Sequence, residues 1–307
     1  MFAPTAESVS SSCFSQKQCE TAVSSSKAVP LAYTLYEPQD AGSTKAPPII
    51  FLDAILGVRS SWSELSQAMA TQTGRNVYAV DARNHGDSPH VPDLDYALMA
   101  ADVELFMRDH GLPRAAFVAH SMGGRTAMRL ALTKPCLVER LVVVDVGPCS
   151  VPAIVGNYFV PQQLDAMEAA LPRLSPHLSF DEAYREADRI FAGRATLENP
   201  SIRSLLLANL WRNGDSYDWK VNVKDVRKSI GGLVRAEDLK GITSPDVDAL
   251  FICGGLSPYV STAEHGAIRR AFPKARIVSV EGAGHWVHRD KPAAFLSLVK
   301  DFMAQQQ

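Results

Sequence analysis

Ala115-Ala116-Phe117-Val118-Ala119-His120-Ser121-Met122-Gly123-Gly124 runs from an unbroken apolar stretch through a serine into two glycines. Ala115–Ala119 fits a strand buried on both faces. From Met122 to about Thr133 the pattern is helical, so Ser121 lies on a sharp turn from strand to helix. Small residues must flank a serine so placed, because neighbouring side chains would collide. Ala119 and Gly123 meet that need. A small-x-Ser-x-Gly string alone arises often by chance; the strand before it and the helix after it make it specific.

Outward from this turn, short β-rich runs alternate with helical patterns, the signature of crossover units and a mainly parallel sheet. Upstream, Leu31–Tyr36, Ile49–Leu52 and Asn76–Val80 read as strands, with an amphipathic helix near Ser63–Thr73. Asp95–Asp109 reads as a helix with Leu98, Met99, Val103, Leu105 and Phe106 on its apolar side and Gly111 as its stop. Downstream, Leu141–Val144 is a strand, after which the alternation lapses between about Ser150 and Ser244. Tyr158, Phe159, Met167, Leu171, Phe191, Leu205–Leu207, Leu210 and Trp211 are among the apolar residues of helical segments there. Sheet pattern resumes at Ala249–Cys253 and Ala275–Val280, and a last helix spans about Lys291–Ala304. The expected organisation is an α/β core over 29–149 and 245–307, a mostly parallel sheet flanked by helices, with an inserted helical cap over 150–244.

With 307 residues, 46% of them apolar, the chain suffices for one large domain. Lys plus Arg number 31 against 33 Asp plus Glu, and no basic stripe interleaves with aromatics, which excludes nucleic acid as a partner. Apolar runs such as Leu141–Val144 fall far below the roughly 18 residues of a spanning helix, so no transmembrane segment is expected. Cys13, Cys19, Cys136, Cys149 and Cys253 show no zinc-type spacing, and a scattered odd set fits unpaired thiols in a reducing compartment. Residues 1–28 are rich in Ser and Ala without an apolar core, as in a disordered leader. Glu7, Glu20 and the lack of Arg argue against a mitochondrial presequence. An intracellular location, cytoplasm or mitochondrial matrix, is the expectation.

Serine is a poor nucleophile at neutral pH without an adjacent base. His285 is the candidate: it lies in Gly282-Ala283-Gly284-His285-Trp286, just after the last predicted strand, and so returns to the sheet edge that carries Ser121. His85, His90, His110, His120, His177 and His265 read as surface or structural. His288 lies three residues on, but no carboxylate or cysteine set completes a metal site, so neither metal nor cofactor is expected. A third group, a carboxylate, should orient His285. The stretch after the strand before the last, Gly254-Gly255-Leu256-Ser257-Pro258-Tyr259-Val260, contains none. Asp145, at the end of Leu141–Val144, keeps the order Ser, Asp, His at the same sheet edge; Asp225 is the alternative acid. N–H donors for a developing oxyanion are expected from Met122 and, in the loop after Ile49–Leu52, from Ile55 with Leu56 beside it.

Five pieces in order, Val80-Asp81-Ala82-Arg83-Asn84-His85-Gly86-Asp87-Ser88-Pro89-His90, His120-Ser121-Met122-Gly123-Gly124, Val144-Asp145, Gly254-Gly255 with Ser257-Pro258-Tyr259-Val260, and Gly282-Ala283-Gly284-His285-Trp286-Val287-His288, resemble the alpha/beta hydrolase domain-containing protein 11 group and related bacterial esterases. The resemblance covers about residues 30–305 and implies an α/β-hydrolase fold that hydrolyses esters or acylglycerols, with Ser121, Asp145 and His285 carried over position by position. Some relatives are assigned an acid from the cap, which would map near Asp225. The sequence departs from the pattern at the oxyanion loop, where Asp53-Ala54 replaces the usual His-Gly. A carboxylate there repels an oxyanion if it points inward. Ala119 for Gly and Leu256 for Asn are milder departures.

The expected reaction is two-step acyl transfer: Ser121, deprotonated by His285, attacks the carbonyl, and water activated by the same His285 releases the acid. An apolar cap over the site favours a fatty or otherwise hydrophobic acyl chain, making the partner a small-molecule or lipid ester. A second reading stands beside it, motivated by Asp53-Ala54: a non-catalytic hydrolase-fold protein that binds a ligand or stabilises a partner enzyme.

Overall fold

A computed structural model describes residues 27–38, 46–149, 159–236, 239 and 241–305. The expected leader therefore lies almost wholly outside the described residues, as does the start of the expected cap.

In chain order the core begins with β1 (Tyr33–Tyr36), β2 (Ile49–Leu52), α1 (Ser63–Thr73), β3 (Val77–Val80), α2 (Tyr96–Asp109), β4 (Ala115–His120), α3 (Met122–Thr133) and β5 (Val138–Val144). Then come α4 (Val160–Ala170), α5 (Phe180–Ala192), α6 (Pro200–Leu207), β6 (Leu210–Asn213), β7 (Ser216–Trp219) and α7 (Val223–Arg235). The core resumes with β8 (Asp248–Gly254), α8 (His265–Ala271), β9 (Arg276–Val280), α9 (Val287–Asp290) and α10 (Pro292–Ala304). Seven strands form one sheet in the order β1-β3-β2-β4-β5-β8-β9. Only β1 runs antiparallel to its neighbour.

The inner strands are apolar throughout because helices cover both faces. Every residue of β2 and β4 is buried. Alternate side chains go to opposite faces: Ile49 and Phe51 pack with Trp62, Met69, Phe295 and Val299 of the side that holds α1 and α10. Ile50 and Leu52 pack with Met99, Val103, Phe106 and Met128 of α2 and α3. Asp95 caps α2 by accepting the Leu98 N–H at 2.7 Å, and Gly111 follows the helix with a φ of 62°.

Three expectations change. Leu210 and Trp211 are not helical but lie in a two-stranded antiparallel ribbon, β6 with β7, closed between Asn213 and Ser216. The Asn213-Gly214 turn signal was present, but strands of four residues are too short for an alternating pattern to stand out from helical neighbours. Strand β5 begins three residues before Leu141, taking in Glu139 and Arg140. These polar residues interrupt the apolar run yet find partners: Glu139 pairs with Arg75, and the Arg140 guanidinium lies over the Phe302 ring. Cys136 is disulfide-bonded, against the expectation of unpaired thiols.

Candidate active site

Parallel strands end at one edge of the sheet, and every candidate residue but Asp225 follows such an end. Ser121 follows β4, Asp145 follows β5, His285 lies in the loop after β9, and Asp53–Gly57 follows β2. The ladder carries the alignment into the loops: the Ser121 N–H donates to the Val144 carbonyl at 3.1 Å and the Asp145 N–H to that of Ile252 at 2.9 Å.

Ser121 has φ 50° and ψ −112°, a conformation that costs roughly 1–3 kcal/mol for a residue with a side chain. It is held by close packing on its helical side. A Cβ on Gly123 would stand 2.6 Å from the carbonyl oxygens of both Leu52 and Asp53, so only glycine fits. Ala119 is completely buried and takes the first small position without a glycine.

His285 and Asp145 are in contact: Nδ1–H of the buried imidazole donates to Asp145 Oδ2 at 2.7 Å, and Nε2 has no hydrogen-bond partner among the described residues. Asp145 Oδ1 accepts the Gly254 N–H at 2.9 Å, and Oδ2 also accepts the Ser257 hydroxyl. Tyr259 stacks on the imidazole, ring centroids 3.5 Å apart and planes 11° apart. Burial pushes the His285 pKa down to about 4, the nearby His120 adding to the effect and Asp145 opposing it. The ring is therefore neutral near pH 7, the state a general base requires. Asp225 is elsewhere: near the start of α7 it accepts from Asn222 and pairs with Lys228 at 2.7 Å, which holds its carboxyl below the ordinary range.

Ser121 and His285 line one cavity of about 180 Å³, with Ala54, Ile55, Pro258, Tyr259 and Trp286. Among the described residues the Ser121 hydroxyl makes no hydrogen bond; such contacts are commonly loose until substrate binds. From the segment between β5 and β8, Val160, Gln163, Thr196, Ile202, Leu205 and Leu206 supply the facing wall. A smaller cavity of about 40 Å³ opens from Ser121 toward Met122, Tyr96 and Arg125.

The loop after β2, expected to carry an oxyanion donor, is fixed from several directions. The Leu56 N–H donates to His85 Nε2 at 3.1 Å, and the His85 Nδ1–H donates in turn to the Arg83 carbonyl at 2.9 Å. The Asn209 amide donates to the Leu56 carbonyl at 2.8 Å. The Ile55 N–H takes no acceptor among the described residues, and that of Met122, first in α3, has no intrahelical partner. Asp53 lines neither cavity at Ser121; its carboxylate accepts the Ala54 N–H at 2.7 Å and the Ser61 hydroxyl.

His85, Asn209, Ser257 and Tyr259 received no role from sequence. Ser257-Pro258-Tyr259 stood out as a motif, but only the fold reveals that the stretch lacking an acid donates a hydroxyl to an acid one strand away.

This arrangement of sheet, serine turn and histidine–carboxylate pair defines a class, and the chain matches the alpha/beta hydrolase fold over residues 47–292: it belongs to that family. Within the family it is an ester-cleaving enzyme of the lipase and esterase kind. It is 39% identical to the sn-1-specific diacylglycerol lipase ABHD11 of Mus musculus, covering 90% of this chain and 86% of that one. It is 30% identical to the esterase YbfF of Escherichia coli, covering 83% and 92%. Among solved structures, a marine microorganism esterase superposes with a TM-score of 0.78 at 29% identity, over 90% of this chain and all of the other.

Proposed function

We propose that Ser121, His285 and Asp145 form the triad of a serine esterase that cleaves carboxylic esters of hydrophobic or fatty acyl groups. The observation that carries the reading is the 2.7 Å bond from His285 to Asp145 beside a cavity that Ser121 shares with His285. In the first step His285 Nε2 takes the Ser121 proton as Oγ attacks the ester carbonyl, and the N–H groups of Ile55 and Met122 receive the negative charge on its oxygen. The C–O bond then breaks, with His285 returning the proton to the leaving oxygen. Water activated by the same ring releases the acid and restores Ser121.

The apolar walls from Val160 to Leu206 support a hydrophobic substrate, with residues 150–244 acting as a cap over the site. The mouse relative carries the name of a diacylglycerol lipase, which supports an acylglycerol as one such substrate. Labelling with a fluorophosphonate, with Ser121→Ala as control, tests the nucleophile. Wild type should label and hydrolyse p-nitrophenyl esters while the variant does neither; an unlabelled, inactive wild type overturns the reading. A screen of acyl esters of increasing length then defines the preferred chain.

A further inference from the structure

Asp53 is a buried carboxylate directly after β2, and the mechanism above gives it no part. Its side chain is engaged by its own loop, through Ala54 N–H on Oδ1 and the Ser61 hydroxyl on Oδ2. Its backbone carbonyl accepts the Gly123 N–H at 3.0 Å, which ties the loop to the first turn of α3. Gly57 folds against the carboxylate so closely that a Cβ there would lie 2.5 Å from Asp53 Cγ. Oδ1 also stands 3.8 Å from Nδ1 of His120, a fully buried atom with no hydrogen-bond partner among the described residues. The opposite nitrogen of that ring, Nε2, donates to the His285 carbonyl at 3.0 Å. Asp53 thus meets the oxyanion loop, the nucleophile helix and, through His120, the loop of the base.

The N–H groups from Ala54 to Gly57 show the consequence. Ala54 N–H is taken by Asp53, Leu56 N–H by His85, and Gly57 N–H by the Ala54 carbonyl at 3.0 Å. That of Ile55, a residue lining both cavities at Ser121, has no acceptor among the described residues. We infer that Asp53 is a positioning residue for the oxyanion donors: its carboxylate turns Ala54 N–H away and its carbonyl holds α3, presetting Ile55 N–H beside Met122 N–H. The role rests on the ester-hydrolase reading above. Donors preset in this way act on the charge that develops in the transition state, not on the bound ester, so their loss lowers kcat more than it changes KM.

The full chain carrying Asp53→Ala, Asp53→Asn or Ser61→Ala tests this with p-nitrophenyl butyrate, each rate normalised to fluorophosphonate-titrated sites. Asp53→Ala should lower kcat about 30-fold with KM within about threefold, a part of what an oxyanion donor contributes. Asp53→Asn keeps an oxygen for Ala54 N–H and should recover to within about fivefold of wild type, while Ser61→Ala should lose about threefold. The Kd of an alkyl trifluoromethyl ketone, which forms an oxyanion on Ser121, should weaken in parallel with kcat/KM. A residue that merely supports the fold lowers the titrated fraction and leaves that Kd unchanged. Wild-type kcat in Asp53→Ala, a change confined to KM, or an unchanged ketone Kd overturns the role of Asp53 alone. If Asp53→Ala does not fold, wild-type behaviour in Ser61→Ala together with a full loss in Asp53→Asn overturns it. A wild type that turns over no ester overturns both readings together.

Discussion

Oδ2 of Asp145 accepts from Nδ1 of His285 across 140 residues of sequence, and the same oxygen receives the hydroxyl of Ser257. In the proposed triad the carboxylate fixes which ring nitrogen carries the proton and leaves Nε2 for Ser121. Asp145→Asn should present an amide to that ring, favour the wrong tautomer and cut kcat by about 10³- to 10⁴-fold. Asp225→Asn removes a surface charge pair with Lys228, keeps an oxygen for the Asn222 amide and should stay within about twofold. Steady-state hydrolysis of a p-nitrophenyl ester by both variants decides it, and the opposite ranking moves the acid to α7.

Burial gives the reaction a broad working range on the acid side. The unfolded imidazole titrates near 6.5, whereas that of folded His285 is held to about 4. Because the base must be neutral, kcat/KM should stay flat as pH falls to about 5 and drop about tenfold per unit below 4. Stability follows the same difference in the same direction. Between pH 6.5 and 4 the unfolded chain binds the proton that the folded ring refuses, so the contribution present above pH 6.5 is lost as pH falls through that window. His85 and His288, both buried and held low, add to it. Thermal unfolding followed between pH 7 and 4 should show a falling midpoint while kcat/KM at pH 5 is still near its plateau; an activity midpoint near 6.5 would contradict a desolvated His285.

What could be read from sequence was local. Ser121 on a strand–turn–helix and His285 in a glycine-rich loop carry their signals within about ten residues, and β2, β4 and β8 announce themselves as apolar runs. Asp145 is legible only because the neighbouring stretch Gly254–Val260 holds no acid. The rest depends on contacts that no window spans. His85 receives the Leu56 N–H from 29 residues away, and Ser257 reaches Asp145 over 112. The ribbon of β6 and β7 escaped because its strands have four residues each and only Leu210 is buried in the first, too little for an alternation to show. Whether Asp53 faces inward or outward depends on Ser61 and Gly57, which no rule about His-Gly pairs contains.

Ser257 makes a finer test of the acid. Its hydroxyl is one of three donors on the Asp145 carboxylate, with Gly254 N–H and His285 Nδ1–H. Ser257→Ala leaves the other two in place, and a hydrogen bond to a charged group contributes about 1.5–3 kcal/mol at most. A loss of roughly 5- to 20-fold in kcat is expected, far short of Asp145→Asn. Ser257→Thr restores a hydroxyl and should recover most of it. If Ser257→Ala matches wild type, the hydroxyl has no share in holding the acid.

Two glycines separate the demands of the site from those of the chain. At Gly123 a methyl group would press on two backbone carbonyls that neither strand nor loop can move, because β2 is paired on both sides. Gly123→Ala should therefore open the turn that holds Ser121 at positive φ, abolish fluorophosphonate labelling and lower the thermal midpoint by several degrees, the effect of about 2–3 kcal/mol in a domain of this size. Gly232 lies inside α7 with nothing within 4 Å of an added Cβ. There alanine only reduces the freedom of the unfolded chain, so Gly232→Ala should raise stability by about 0.5–1 kcal/mol, a rise of roughly 1–4 °C, with unchanged labelling. Calorimetry and labelling on both variants check the pair: a labelled, stable Gly123→Ala would mean that the turn relaxes without glycine, and the strain assigned to Ser121 would then have no structural basis.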